Sequence, residues 1–164
     1  MIMIGVTEKG STFLDLEVTG EQGHSSIPPP ESPLGILASA VSRLEKNPQP
    51  SRFGTSVESD LLTYAAPFAN FGMRFVFANM WLFSPIVSKV MSGKQASDAM
   101  QRTTTALTIF NAGFKANVVP GKAKAVVNHR MHPFDNLETV LAHDRDIIDD
   151  ERVKITVLPW IITF

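Results

Sequence analysis

The order in which strand-like and helix-like segments follow one another constrains this chain more than any other feature of its sequence. Four segments have the apolar pattern of strands, and two have the apolar stripe of an amphipathic helix. In chain order these segments are residues 11–19, 33–46, 105–112, 123–131, 137–148 and 153–157. The order β-α-β-β-α-β predicts an α+β domain with a ferredoxin-like fold, in which two helices cover one face of a four-stranded antiparallel sheet.

Local patterns predict where the helices start and how the third strand is oriented. Ser32, followed by a proline, is typical of a helix start. Asp135 with Glu138 predicts a capping box for the second helix. Alternation along residues 123–131 places Arg130 on the sheet face that points away from the helices.

Residues 53–101 interrupt this order between the first helix and the second strand, and six of the eleven phenylalanines lie in this insertion. Arg74, Lys89 and Pro85 break its apolar run short of the roughly 20 residues that a membrane-spanning helix needs. Two or three short helices are therefore predicted, and no transmembrane segment. These helices either pack on the core or present an apolar surface to a lipid-like substrate, another domain or a membrane face.

Composition excludes several classes of function. The chain has 15 basic and 16 acidic residues without a basic stripe, so a nucleic-acid partner is not expected. It has no cysteine, which excludes disulfides, thiolate zinc sites and cysteine nucleophiles, and which fits an oxidising compartment. We expect residues 1–164 to be a single domain of a larger protein, with a helical insertion at residues 53–101.

Three polar residues have the pattern of part of an active site. His24 lies between a glycine and two serines, in a loop too rich in proline to be helix or strand. Asn117 stands in an Asn-Val-Val-Pro turn, and Arg130 follows thirteen residues later. An imidazole, a carboxamide and a guanidinium can polarise a carbonyl group and bind a carboxylate. No nucleophile, general base or metal cluster accompanies them, so the rest of the site is expected elsewhere.

His129 and His132 have the His-x-x-His spacing that can chelate a metal ion. On a strand, however, residues three apart point to opposite faces, so the two rings are not expected to converge. We therefore predict no metal site in this chain.

Several runs of residues resemble the lid of the M20 peptidase family of zinc amidohydrolases. These runs are Ile4–Gly10, Gly23–Pro28, Gly35–Ala38, Ala40–Glu45, Arg102–Phe110, Asn117–Pro120 and Asn128–Pro133. The resemblance covers nearly the whole chain, including Trp81-Leu82-Phe83 in the insertion, and is to the branch of carboxypeptidase S and the N-acyl-aromatic-amino-acid amidohydrolases. It implies a lid, or dimerisation, domain inserted into a larger catalytic domain.

The resemblance also implies roles for the three polar residues. His24 resembles the lid histidine that reaches across the dimer to the scissile carbonyl of the partner's site. Asn117 resembles the asparagine that assists there, and Arg130 the arginine that binds the free carboxylate of the substrate. The two zinc ions and the general-base glutamate of the family belong to the catalytic domain. The 164 residues alone are therefore expected to bind no zinc and to be inactive.

The full-length protein is accordingly expected to be a homodimeric metallocarboxypeptidase or aminoacylase that hydrolyses N-acyl amino acids or dipeptides with a free carboxylate. The edge strand around residues 107–112 and the helix at residues 33–46 are the expected dimer contacts. The resemblance and the lack of cysteine favour a secreted, periplasmic or vacuolar-type compartment. The alternative is a non-catalytic ferredoxin-like module that binds a ligand or a protein partner.

Overall fold

The computed structural model describes residues 7–55 and 57–159, which divide into two compact units. The sheet unit contains the described residues up to Gln49 and from Thr104 onwards, and the helical unit contains those from Pro50 to Thr103. In chain order the elements are β1 (Gly10–Thr19), β2 (Gly23–His24), α1 (Pro33–Lys46), α2 (Val57–Ala65), α3 (Phe71–Ala78), α4 (Met80–Met91), α5 (Gln95–Met100), β3 (Thr104–Ala112), β4 (Val118–Val119), β5 (Lys122–Met131), α6 (Leu137–Ile148) and β6 (Lys154–Val157).

The four long strands of the sheet unit form one sheet in the order β3-β5-β1-β6, and all neighbours are antiparallel. Strand β1 is central, because Leu14 pairs with Val127 on one side and with Val157 on the other. This order, with β1 beside the third and fourth long strands, confirms the ferredoxin-like α+β prediction.

The core lies between the sheet and the two helices α1 and α6. Alternate residues of β1 and β5 are buried against it, and the same cluster contains apolar side chains of both helices. Its buried members include Leu14, Leu16, Val18, Leu37, Val41, Leu44, Ala123, Ala125, Val127 and Ile148. Because residues of β1 and β5 between these positions are more exposed, one face of the sheet is covered and the other is open.

Helix α1 has the predicted bounds, whereas the predicted cap of the second helix is wrong by one residue. Ser32 Oγ accepts a hydrogen bond from the Gly35 backbone N–H at 3.1 Å. At α6 the capping box is formed by Asn136 and Thr139, and the Thr139 N–H donates to Asn136 Oδ1 at 2.8 Å. Asp135 lies one residue earlier, where its own N–H donates to the His132 carbonyl in a turn. The helix therefore starts after that turn.

The helical unit has more helices than the two or three predicted. It contains α2, α3, α4 and α5, and a short 3₁₀ turn at Ala66–Phe68 between the first two. Asn70 caps α3 by accepting a hydrogen bond from the Met73 N–H at 3.0 Å. No helix within the described ranges 7–55 and 57–159 is long and apolar enough to cross a membrane.

The open face of the sheet carries a small group of ion pairs around Glu17. Its carboxylate lies 2.7 Å from Lys122 Nζ and 2.8 Å from Lys124 Nζ, and Lys124 also contacts Asp15 at 3.0 Å. Hydrogen bonds from Lys122 and Lys124 lower the pKa of Glu17 to about 2. The same contacts with Glu17 and Asp15 raise the pKa of Lys124.

Acid is therefore expected to weaken the sheet unit through Glu17. Its pKa is lower in the folded chain than in the unfolded one, so the stabilisation is complete above the unfolded pKa of about 4.3. It is lost as the pH falls from there to about 2. Urea unfolding midpoints measured across this range should fall less steeply for Glu17→Gln than for the unchanged chain. An unaltered slope in that variant would assign the acid sensitivity to other groups.

Candidate active site

His24 and Asn117 are brought together by a short antiparallel ribbon of strands β2 and β4, here called the His24 ribbon. His24 pairs with Val118, and the Ser25 N–H donates to the Asn117 carbonyl at 3.1 Å. The prediction that His24 lies in a loop is thus wrong, since the prolines begin only at Pro28 and Val118–Val119 supply a partner strand. Two of the three predicted site residues are therefore neighbours at the same end of the ribbon.

The imidazole of His24 has one nitrogen held within its own turn. The Ser26 backbone N–H donates to His24 Nδ1 at 3.2 Å, and Ser26 Oγ lies 2.8 Å from the same nitrogen. Since Nδ1 accepts a backbone hydrogen bond, the proton of the neutral ring is on Nε2. The side chain is exposed, so Nε2–H is available as a donor to a group outside the turn.

A cleft of about 550 Å³ lies beside the His24 ribbon. Its walls come from the proline-rich segment and from the start of α1 on one side, and from the segment that contains β4 on the other. The lining residues are Ser25, Pro28, Pro29, Pro30, Glu31, Ser32, Leu34, Gly35, Ala116, Val118, Val119 and Pro120. Proline has a fixed φ angle, so three of them in succession stiffen the wall next to His24.

Arg130 lies at the opposite end of the sheet from the His24 ribbon. It pairs with Ser11 and Thr104, whereas the ribbon leaves the sheet where Lys122 pairs with Thr19. At about 3.3 Å per residue, β5 covers about 26 Å from Lys122 to Arg130. The structure therefore does not bring Arg130 together with the other two predicted site residues of the same chain. Arg130 is exposed, in agreement with the predicted alternation.

A buried polar network, which the sequence did not reveal, lies directly behind Arg130. His129 Nε2 is 2.8 Å from Asp144 Oδ2, and Gln49 Nε2 donates to Asp144 Oδ1 at 2.8 Å. Thr105 Oγ1 lies 3.3 Å from the other ring nitrogen of His129. All of these residues except Thr105 are almost completely inaccessible to solvent. The network joins the end of β5 to α6 and thereby holds the backbone that carries Arg130.

The second histidine of the His-x-x-His pair is His132. It lies beyond the last residue of β5 and is buried, and its Nδ1 accepts a hydrogen bond from the Phe134 N–H at 3.3 Å. In the part of the chain that the structure describes, no three histidine, cysteine, aspartate or glutamate side chains could hold a metal ion together. The described side chains therefore supply no ligand set for the zinc ions, which the family resemblance assigns to the catalytic domain.

Comparison with known proteins gives a family and a fold. The model of the peptidase dimerisation domain of the M20 family matches residues 6–156. The N-fatty-acyl-amino acid synthase/hydrolase PM20D1 of Xenopus tropicalis is 48% identical over 156 residues, which are 95% of this chain and 30% of that protein. The probable carboxypeptidase S-like 2 of Dictyostelium discoideum is 48% identical over 160 residues, 97% of this chain and 30% of that protein.

Solved structures agree with this result at the level of the fold. The M20 family metallo-carboxypeptidase Sso-CP2 of Sulfolobus solfataricus matches with a TM-score of 0.53 and 16% identity, over 92% of this chain and 42% of that one. The chain spans about 30% of the length of the two relatives named above. The match over nearly all of its residues confirms the resemblance seen in the sequence, and the chain belongs to the peptidase dimerisation domain family of the M20 hydrolases.

Proposed function

We propose that this chain is the dimerisation and substrate-binding lid of a hydrolase that cleaves the amide bond of N-acyl amino acids or of dipeptides with a free carboxylate. The observation that carries the proposal is the hydrogen bond from the Ser26 N–H to His24 Nδ1, which leaves Nε2–H as an outward donor. The names of the relatives, fatty-acyl-amino acid hydrolases and carboxypeptidases, support the substrate class. The two zinc ions are assigned to a catalytic domain outside the 164 residues.

In this proposal the lid contributes hydrogen-bond donors and a cation. When an amide carbonyl is attacked, negative charge develops on its oxygen, and His24 Nε2–H stabilises that charge together with the Asn117 carboxamide. Arg130 binds the carboxylate at the other end of the substrate, because a planar guanidinium can hold both carboxylate oxygens at once. These contacts hold the substrate in one orientation relative to the reacting group.

In this proposal two chains contribute residues to one site. A substrate of the size of a dipeptide cannot contact both the His24 ribbon and Arg130 of the same chain across about 26 Å of strand. Strand β3 is at an edge of the sheet, with Thr104 beside Arg130 and Ala112 beside Ala123. If two copies of β3 pair antiparallel about a twofold axis, the Arg130 end of one sheet lies next to the ribbon end of the other.

We therefore propose a homodimer formed through β3 and the neighbouring helix α1. Edge strands present unpaired backbone groups, and β3 also exposes the apolar side chains of Ile109 and Phe110. Each active site then contains His24 and Asn117 from one subunit and Arg130 from the other.

Mixed dimers of the full-length protein test this arrangement. Subunits with His24→Ala and subunits with Arg130→Ala are each expected to be nearly inactive as pure dimers. A mixed dimer of the two has one site with both changes and one site with neither. A 1:1 mixture should therefore regain about a quarter of the wild-type rate, because half of the dimers are mixed and each has one intact site of two.

The matched control mixes His24→Ala subunits with Asn117→Ala subunits. Both residues lie on one ribbon, so every site in that mixed dimer lacks one of them and no recovery is expected. Equal recovery in both mixtures would contradict the assignment of His24 and Asn117 to the same site. Full activity of both pure variants would favour the non-catalytic, ligand-binding module instead.

A further inference from the structure

Helix α4 of the helical unit turns its apolar side chains outwards. Trp81 and Val90 are 80% and 72% exposed, and Leu82 and Ile86 are more than half exposed. Successive members of this set are one, four and four residues apart, so they form a continuous stripe along the helix. Pro85 and Lys89 lie on the same exposed side. Water is therefore in contact with a row of large apolar groups.

The opposite side of α4 carries polar groups that point into the helical unit. Ser88 Oγ donates to Gln101 Oε1 at 2.7 Å and lies 3.2 Å from Ser51 Oγ. Gln101 is completely buried, and its Nε2 donates to Ser92 Oγ at 2.7 Å. Met80, Phe83 and Val87 are also on the less exposed side, so α4 has apolar side chains on both sides. A helix on the surface of a water-soluble domain normally has polar groups on its outer side. The arrangement of α4 suits an apolar environment on its outer side.

The neighbouring helices also expose apolar side chains. Helices α2, α3 and α4 pack on one another, and the rings of Phe75 and Phe83 meet edge to face across α3 and α4 at 5.8 Å. Phe68 and Phe71, on either side of the cap of α3, are 91% and 90% exposed. We call the exposed apolar residues Tyr64, Phe68, Phe71, Trp81, Leu82, Ile86 and Val90 the apolar face.

Exposed Asp60 lies four residues before Tyr64 on α2, but α3, α4 and the segment that follows them to Ser97 carry only basic charges. Between Leu61 and Ser97 the sequence contains Arg74, Lys89 and Lys94 but no aspartate or glutamate. All three cationic side chains are exposed. This local excess of positive charge stands out in a chain whose formal net charge is −1. The charge favours a partner that is apolar and also anionic at its surface.

We propose that the helical unit docks on an anionic lipid surface, with the apolar face inserted among the acyl chains and Arg74, Lys89 and Lys94 at the level of the head groups. Tryptophan and tyrosine are typical of this depth, because one end of each ring system is polar. Short helices with an apolar face and basic flanks lie in the plane of such an interface. A protein partner would satisfy the apolar side chains but would not by itself explain why α3 and α4 carry only basic charges.

Vesicle flotation of the full-length protein tests the proposal. Binding is expected to vesicles of phosphatidylcholine with about a third of phosphatidylserine, and to be much weaker with phosphatidylcholine alone. The double variant Trp81→Gln with Ile86→Gln should bind at least about tenfold more weakly, since two inserted side chains become polar. Its control is Ile27→Gln with Phe114→Gln, two equally apolar and exposed positions of the sheet unit. The control should bind like the unchanged protein.

Charge variants test the proposed contact of the basic side chains with anionic head groups. Arg74→Gln with Lys89→Gln should weaken binding to the anionic vesicles about thirtyfold, because each basic residue near such a surface contributes about 1 kcal/mol. Its control, Lys46→Gln with Lys115→Gln in the sheet unit, should have little effect. Binding of the full-length protein that does not distinguish anionic from neutral vesicles would overturn the proposal.

Two further outcomes would also overturn it. If the 164-residue chain floats with vesicles but the full-length protein does not, another domain covers the apolar face. If the Trp81 and Ile86 changes abolish self-association and vesicles bind no protein, a second copy covers it. A measurement that needs no loss of function uses the 164-residue chain with Trp160→Phe, which leaves Trp81 as the only tryptophan of those residues. The fluorescence of Trp81 should be quenched by brominated lipid in anionic vesicles and much less by brominated lipid in vesicles of phosphatidylcholine alone.

Discussion

Replacing Asp144 by alanine is expected to lower the free energy of unfolding by about 3–5 kcal/mol, the cost of removing one partner from a buried polar pair. The carboxylate is 1% exposed and contacts His129 Nε2 and Gln49 Nε2, both at 2.8 Å. Without it, a buried ring nitrogen and a buried amide lose their closest partner, and water cannot replace that partner without opening the core. The effect should appear as a lower midpoint in urea unfolding.

Asp146→Ala is the matched control for this prediction, because Asp146 is an exposed residue of the same helix. It should change the free energy of unfolding by less than about 0.5 kcal/mol. Asp144→Asn should lie between the two, since its carboxamide keeps one acceptor but cannot serve both neighbours as the carboxylate does. Equal stabilities of Asp144→Ala and Asp146→Ala would show that the network contributes nothing to folding.

Replacing His24 by alanine is expected to lower the catalytic rate of the full-length dimer by about 10²-fold or more, the usual effect of removing one oxyanion donor. The expectation rests on the proposed function and on the position of Nδ1, which is held by the Ser26 N–H so that Nε2–H faces outwards. The loss should be in kcat more than in KM, because charge on the carbonyl oxygen develops only in the transition state. Metal content should not change, because the zinc ions are assigned elsewhere.

Two further variants separate a catalytic role of His24 from a structural one. Gln22→Ala alters an exposed residue just before the His24 ribbon and should leave the rate near that of the wild type. Ser26→Ala removes the hydroxyl but keeps the backbone N–H that selects the tautomer, so a smaller loss than for His24→Ala is expected. If His24→Ala lowers the rate no more than Gln22→Ala, the donor role is wrong.

The sequence predicted the sheet unit well because its elements depend on local patterns. Helix α1 begins after Ser32 and ends at Lys46 as expected, since a side-chain cap and a following proline determine both ends. The strands could be recognised because alternation persists for ten residues in β1 and β5. The capping box of α6 was misplaced because Asp135 and Asn136 are both good cap residues, and only the turn at His132 decides between them.

The remaining features depend on contacts between distant residues. Strand β2 has two residues, and without its partner at Val118–Val119 it has no pattern of its own. The pairing of Gln49 with Asp144 joins residues 95 positions apart, which no local rule anticipates. The sequence left open whether the insertion packs on the core or exposes an apolar surface, because the spacing of apolar residues gives the faces of a helix but not which face is inside.

The central position of β1 has a consequence for the synthesis of the protein. The first long strand is flanked by β5 and β6, so its partners leave the ribosome more than a hundred residues after it does. The helical unit, in contrast, is one continuous stretch of chain and can fold from local contacts while it emerges. Until β5 and β6 have emerged, the apolar surface of β1 and α1 has no complete sheet to cover it. Chaperone binding should therefore be strongest to nascent chains in which residue 157 has not yet left the ribosome.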